Sequence, residues 1–205
     1  MDPMQWMPAV KRAKKLTVFM GNLDGQWATA AGEAFTEFNK LAKQYSFGMK
    51  LEKITEREQQ ANAADVDFRI ASGAVEFEHD RTTYSGTFDG KVMHGLTLLA
   101  AREKLIEKAR IHLPNQPMVN TPAGPRAVGP RVRLVIVLHE FLHTCGLTNS
   151  QHTSEGVFQP SPSVVAGDTA SGDKVQRAPG SANIRFMPPY VISDSTKSII
   201  ADLWQ

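Results

Sequence analysis

The chain's most apolar run ends at Leu138-His139-Glu140-Phe141-Leu142-His143-Thr144-Cys145-Gly146. Pro130 suits a first helical position and Gly146 the residue just past the last one. Together they bound a helix of roughly four turns with both histidines near its C-terminal end. Residues four apart share one helix face, so His139 and His143 can reach a single metal ion. Glu140 sits beside them without pointing the same way. Burying all three groups without a metal would leave costly polar atoms on an otherwise apolar segment.

Two imidazoles four apart, with a carboxylate able to take a proton from a metal-activated water, form the His-Glu-x-x-His arrangement of zinc hydrolases. A catalytic zinc takes three protein ligands and keeps its fourth position for water or substrate. Downstream of His143 the chain offers one more histidine, His152, and one glutamate, Glu155. Gly146 permits the sharp turn that a returning ligand requires. Cys145 is the only cysteine, so an intrachain disulfide and a cysteine metal cluster are both excluded. With the nearby histidines committed to metal, Cys145 reads as a small packed residue rather than a nucleophile.

The elements around this helix follow from periodicity. Leu16 to Met20 predicts a first strand, and Ala34, Phe35, Phe38, Leu41 and Ala42 predict an amphipathic helix over Thr29 to Tyr45. Phe47 to Ile54 and Asp65 to Ile70 alternate as strands do; Val75 to Phe77 and Lys91 to His94 are weaker strand candidates. Leu96 to Leu113, rich in Ala, Leu, Glu, Lys and Arg, predicts a second helix. Pro114 to Pro130 is a proline-rich connection. After Gly146 come some forty residues of loop, then a closing helix over Ser193 to Trp204, capped by Ser193 or Asp194, with Ile199, Ile200 and Leu203 inward. Strands and helices precede the metal helix and an irregular lobe follows, an α+β plan. Residues 1–15 read as an N-terminal extension, with Lys11, Arg12, Lys14 and Lys15 solvated. Residues 16–205 read as one domain, with an upper lobe to 146 and a lower lobe over 147–205.

Order and motifs from residue 16 onward resemble the metzincin metalloproteases, whose pattern is His-Glu-x-x-His-x-x-Gly-x-x-His followed much later by a methionine turn. His139, Glu140, His143 and Gly146 match in place. Ile184-Arg185-Phe186-Met187-Pro188-Pro189-Tyr190 is similar to the methionine turn and the wall of the substrate pocket. Ser193 to Trp204 is similar to the terminal helix of the matrix-metalloprotease branch. The resemblance implies a zincin-like fold with an N-terminal mixed sheet, one catalytic zinc ion, Met187 beneath it, and Pro189 and Tyr190 at the substrate. Tyr190 reads as a pocket wall more readily than as an oxyanion donor. The family position of the third histidine holds Asn149. Because imidazole binds zinc far better than a carboxamide oxygen, His152 on a slightly longer turn is the expected third ligand.

The expected function is zinc-dependent hydrolysis of peptide bonds with Glu140 as general base. The alternative is a zincin-fold binding or structural module with little turnover. A hydrolase with a downstream glutamate ligand is disfavoured, since Glu155 is the only glutamate after Glu140. A net charge of +2 makes no case for nucleic acid. No stretch approaches the roughly 20 apolar residues of a membrane helix. A peptide or protein substrate and a monomer are expected. The expected location is the cytoplasm, barring export or release from a precursor. His79, His94 and His112 show no ligand spacing and read as surface or strand-end residues, with His94 able to border the cleft. Asp168 and Asp173 read as solvated loop acids.

Overall fold

Backbone pairing between distant segments builds a floor under the apolar helix, and two-residue turns close the hairpins beside it. The computed structural model describes all residues except 1, 62, 92–93, 122–123, 155, 161–173, 176–184 and 187–189. In chain order these form β1 (Gln5–Trp6), α1 (Pro8–Ala13), β2 (Lys15–Phe19), α2 (Gly25–Gln44), β3 (Lys50–Lys53) and α3 (Glu56–Ala61). There follow β4 (Val66–Ala71), β5 (Gly73–His79), β6 (Thr82–Phe88), β7 (Leu96–Arg102), β8 (Leu105–Pro114), β9 (Met118–Thr121) and β10 (Gly124–Ala127). The chain continues through α4 (Pro130–Thr144), a 3-10 turn (Asn149–Gln151), β11 (Lys174–Val175), β12 (Arg185–Phe186) and α5 (Asp194–Trp204).

The main sheet runs β3-β2-β4-β8-β7, parallel throughout except for the antiparallel edge strand β7. β1 pairs in parallel with the start of β8, where β4 has not yet reached. The described residues therefore form a mixed α/β fold with a largely parallel sheet and five helices. One sheet face presents Val66, Phe68, Ala109, Ile111 and Leu113, all fully buried. α2 buries Trp27, Ala30, Ala31, Ala34, Phe38, Leu41 and Ala42 at helical spacing. Phe141 of α4 sits between Phe38 of α2 and Phe68 of β4, edge-on to each, with centroids 5.9 and 5.8 Å away. Every residue of α4 from Val132 to Thr144 is buried. α4 is thus a central helix, which explains why its sequence is apolar on all sides.

The opposite face is charged yet covered. Asp67 accepts from Arg110 Nε at 2.5 Å and from Arg110 Nη2 at 2.9 Å, and Lys108 Nζ lies 3.6 Å away. The β5–β6 hairpin closes over them, with the Phe77 ring 4.8 Å from the Arg110 guanidinium carbon. Pairing these charges is what permits their burial.

Several expectations needed correction. Leu96 to Leu113 is not a helix but the β7–β8 hairpin. Its good helix formers are overridden by pairing of β8 with β4 on one side and β7 on the other, since propensity is only a weak prior. Glu103 and Lys104 form its two-residue turn with φ of 53° and 67°. An irregularity at Ala100/Ala101 leaves Glu107 as an extra residue of β8, so Ile106 and Ala109 can both face inward. Of the strand expected at Lys91 to His94, the described ends Lys91 and His94 lie in a turn and a bend, and the edge strand begins at Leu96. His112, expected at the surface or a strand end, is buried two residues from the end of β8, and burial pushes its pKa down to about 4. The segment expected as an extension contributes a strand, and its Trp6 is only 1% exposed. α1, with Lys11 and Arg12, buries nothing, as expected of a solvated basic segment. α5 agrees with expectation, its Ser193 hydroxyl accepting from Thr196 N–H at 3.2 Å. Among the described residues no helix is long and apolar enough to cross a membrane.

Two non-glycine residues at positive φ make the β7–β8 turn a direct test of this hairpin. Lys104→Gly should raise stability by about 0.5–1 kcal/mol in urea unfolding, because glycine accepts that backbone without strain. A helical segment would instead lose about 1 kcal/mol from the same change.

Candidate metal centre

α4 supplies the rigid part of the site. His139 and His143 lie one turn apart with their Nε2 atoms 3.1 Å from each other. Each Nδ1 faces a backbone carbonyl at 2.9 Å, Val157 O for His139 and Leu147 O for His143. A carbonyl only accepts, so each Nδ1 carries the proton and each Nε2 presents a bare lone pair.

The helix then stops at Gly146, whose φ is +106°. A Cβ there would also fall 2.0 Å from the Met4 carbonyl oxygen, so glycine is required twice over. The last carbonyls of the helix find donors in distant segments. Thr144 O accepts from Trp6 Nε1 at 2.7 Å, Cys145 O from Trp204 Nε1 at 3.0 Å, and Gly146 O from Met4 N–H at 2.8 Å. Carbonyls that a helix end leaves orphaned are thereby satisfied without water. Cys145 is buried and packed, as expected, and burial raises its thiol pKa.

Beyond Gly146 the 3-10 turn Asn149–Gln151 is fastened by Gln151 Oε1, which accepts from Thr148 N–H at 2.8 Å and from Thr148 Oγ1 at 2.7 Å. His152 follows at once, its Nε2 3.2 Å from both other Nε2 atoms. Asn149 begins the turn, is exposed, and lines the same pocket as the three histidines. Three residues make one turn of 3-10 helix, and that turn brings His152 up to the two helix histidines.

His139, His143 and His152 form a buried group that can hold a metal ion. Nitrogens at about 2.0–2.1 Å from a tetrahedral zinc lie about 3.3–3.4 Å apart, so the observed triangle matches that donor set closely. Its electrostatics point the same way. Bare lone pairs 3.1 Å apart repel unless a cation lies between them. Protonation is a poor substitute, because burial pushes His139 down to about 3 and His143 to about 4, and lowers His152 as well. Neutral imidazole is the ligand form.

Glu140 is 1% exposed, and its carboxyl faces the start of β7. Thr97 Oγ1 donates to Glu140 Oε2 at 2.6 Å, and the Gly95 backbone N–H also donates to the carboxyl. Gly95 makes the room: a Cβ there would sit 2.6–2.8 Å from the Glu140 carboxyl group and its Cγ. Burial pushes the Glu140 carboxyl up to about 7; a cation nearby would draw it down again. Glu140, the three histidines, His94, Thr97 and Asn149 line one open cavity of ≈ 480 Å³. His94 therefore borders the cleft, as expected.

Other site expectations divide. Met187, Pro189, Glu155, Asp168 and Asp173 lie outside the described residues. Tyr190 is half-buried in a groove beside Ala28, Thr29 and Gly32 of α2, and is not among the described residues lining the histidine cavity. Sequence reasoning missed Thr97 and Gly95, which hold Glu140. It also missed Phe158, whose ring centroid is 5.0, 4.8 and 4.7 Å from those of His139, His143 and His152. Val157-Phe158 is an apolar pair in a polar stretch, a signal that could have flagged a buried floor. The loop is anchored by Val157 N–H to Val191 O at 2.8 Å, with Gly156 at φ +76° beneath the same carbonyl. No protein-family model matches this sequence, and no curated protein matches it.

His152→Ala should lower zinc affinity at least about 10-fold in equilibrium dialysis, the scale on which even supporting residues of metal sites act. Asn149→Ala should bind zinc as the unaltered protein does. Equal zinc content in the unaltered protein and His152→Ala would remove His152 from the site.

Proposed function

We propose that this chain is a zinc-dependent endopeptidase with a zincin-like fold, as its resemblance to metzincins implies. The observation that carries the proposal is the convergence of three Nε2 atoms within 3.1–3.2 Å beside one buried carboxyl in the same cavity. His139, His143 and His152 would hold the ion, leaving a position open to the cavity. Bound there, zinc lowers the pKa of water and polarises a carbonyl oxygen.

The chain's own groups supply the rest. Glu140 takes the proton from the attacking water and, once protonated, delivers it to the departing amine nitrogen. Its raised pKa suits a group that must both accept and return a proton near neutral pH. Thr97 and Gly95 orient the carboxyl, and burial excludes bulk water that would compete for the proton. Among the described residues β7 pairs only with β8, so an extended peptide can add to its other edge and present a carbonyl beside Glu140.

One observation favours the alternative of a binding module with little turnover. Thr97 and Gly95 already donate to the Glu140 carboxyl, which leaves fewer of its lone pairs for a water. Turnover decides between the two. The zinc-loaded chain should cleave unfolded casein and stop when o-phenanthroline is added. Glu140→Gln should retain zinc and lose at least about 100-fold in kcat. Undiminished turnover in Glu140→Gln would refute the base assignment, and an inert zinc-loaded wild type would leave the binding module standing.

A further inference from the structure

A second cavity, of ≈ 280 Å³, opens beside the metal centre and shares Thr97, His143 and Asn149 with it. Among the described residues its apolar walls are Met4, Leu98, Leu99 and Leu147, and no Asp, Glu, Lys or Arg lines it. The exposed Asn149 and Ser150 stand at its solvent side. Resting on the endopeptidase reading, we infer that this cavity is a subsite for an uncharged, apolar side chain of the substrate, N-terminal to the scissile bond, with Met4 as its distinguishing wall.

Met4 is not a loose tail here. Its N–H is fixed to Gly146 O, and Trp6, two residues on, is tied to Thr144 O while β1 pairs with β8. The Met4 carbonyl packs so closely on Gly146 that no Cβ fits between them. The segment is therefore seated on the end of the helix that carries His139 and His143. A wall with that mounting keeps its place relative to the metal centre.

Charge and direction define the occupant. A charged side chain entering this cavity would shed water and meet no opposite charge, which is costly. An apolar one would exchange water for four apolar walls, one of them a methionine thioether able to adapt to its shape. β7 leads away from Glu140, from Thr97 beside the carboxyl to Leu99 at the second cavity. A peptide pairing antiparallel to β7, the slightly more stable geometry, runs the other way and passes the second cavity before it reaches Glu140. Residues over the cavity thus precede the bond that is cut, and alternate side chains point to the same side.

Cleavage-site profiling of the zinc-loaded full chain on a mixed peptide library tests this, with Leu99→Trp and Met4→Glu alongside the wild type. Wild-type sites should be enriched in Leu, Met or Phe, and depleted in Asp, Glu, Lys and Arg, at one upstream position. Leu99→Trp fills the cavity and should shift that position to Gly, Ala or Ser, with kcat/KM for the large residues falling about 10-fold or more. Met4→Glu puts a carboxylate on the wall and should admit Lys or Arg at the same position. Should Leu99→Trp fail to fold or bind zinc, Met4→Glu alone carries the test. An upstream profile that is flat, or unmoved by the folded variants, would overturn the subsite. A shift at a downstream position would overturn its direction. A wild type that holds zinc and cleaves no peptide would bring down the endopeptidase reading itself, and the subsite with it.

Discussion

Neutral imidazoles turned lone pair to lone pair at 3.1 Å on the floor of a cavity repel one another, and much of the structure serves to hold them so. Val157 O and Leu147 O take the Nδ1 protons and fix both ring tautomers and ring directions. Phe158 backs all three rings and keeps water from the closed side. Burial keeps the nitrogens unprotonated. A cation at the focus turns this repulsion into attraction. The apolar setting that makes the bare cluster unfavourable then makes its coordination strong.

The histidines keep their spacing only if the end of α4 is rigid, and that end is held from elsewhere. Trp6, Met4 and Trp204 donate to three successive carbonyls, so β1, α5 and the metal helix form one unit. Gly146 is the hinge of that unit because it both turns the chain and admits the Met4 carbonyl. The same contacts that finish the helix also place Met4 beside the cleft. The helix end and the wall of the second cavity are thereby coupled through a few hydrogen bonds.

The parts legible in the sequence were those with local causes. His139 and His143 four apart, Pro130 and Gly146 bounding the helix, and the Ser193 cap of α5 all depend on neighbours within a few residues. His152 was reached through ligand chemistry, because imidazole outcompetes carboxamide for zinc, and the 3-10 turn at Asn149–Gln151 supplies its physical basis. The β7–β8 hairpin was misread as a helix for the opposite reason. Its Ala, Leu, Glu and Lys content favours helix locally, while its partners, β4 and Trp6 among them, lie 40 to 100 positions away in the chain. Buried His112 and Trp6 were missed on the same ground.

What the sequence determined by itself was the histidine set that can hold a metal ion and the helix that carries two of its members, since side-chain chemistry and a period of 3.6 residues are local properties. What only the tertiary structure decided was how that set is made usable: Gly95 and Thr97 on Glu140, Phe158 under the rings, and three distant donors on the helix end. None of these has a spacing rule, because each depends on where chain folding brings a remote backbone or ring. Lone-pair repulsion among the neutral histidines is opposed by long-range packing, and packing is written across the whole chain rather than in any one motif.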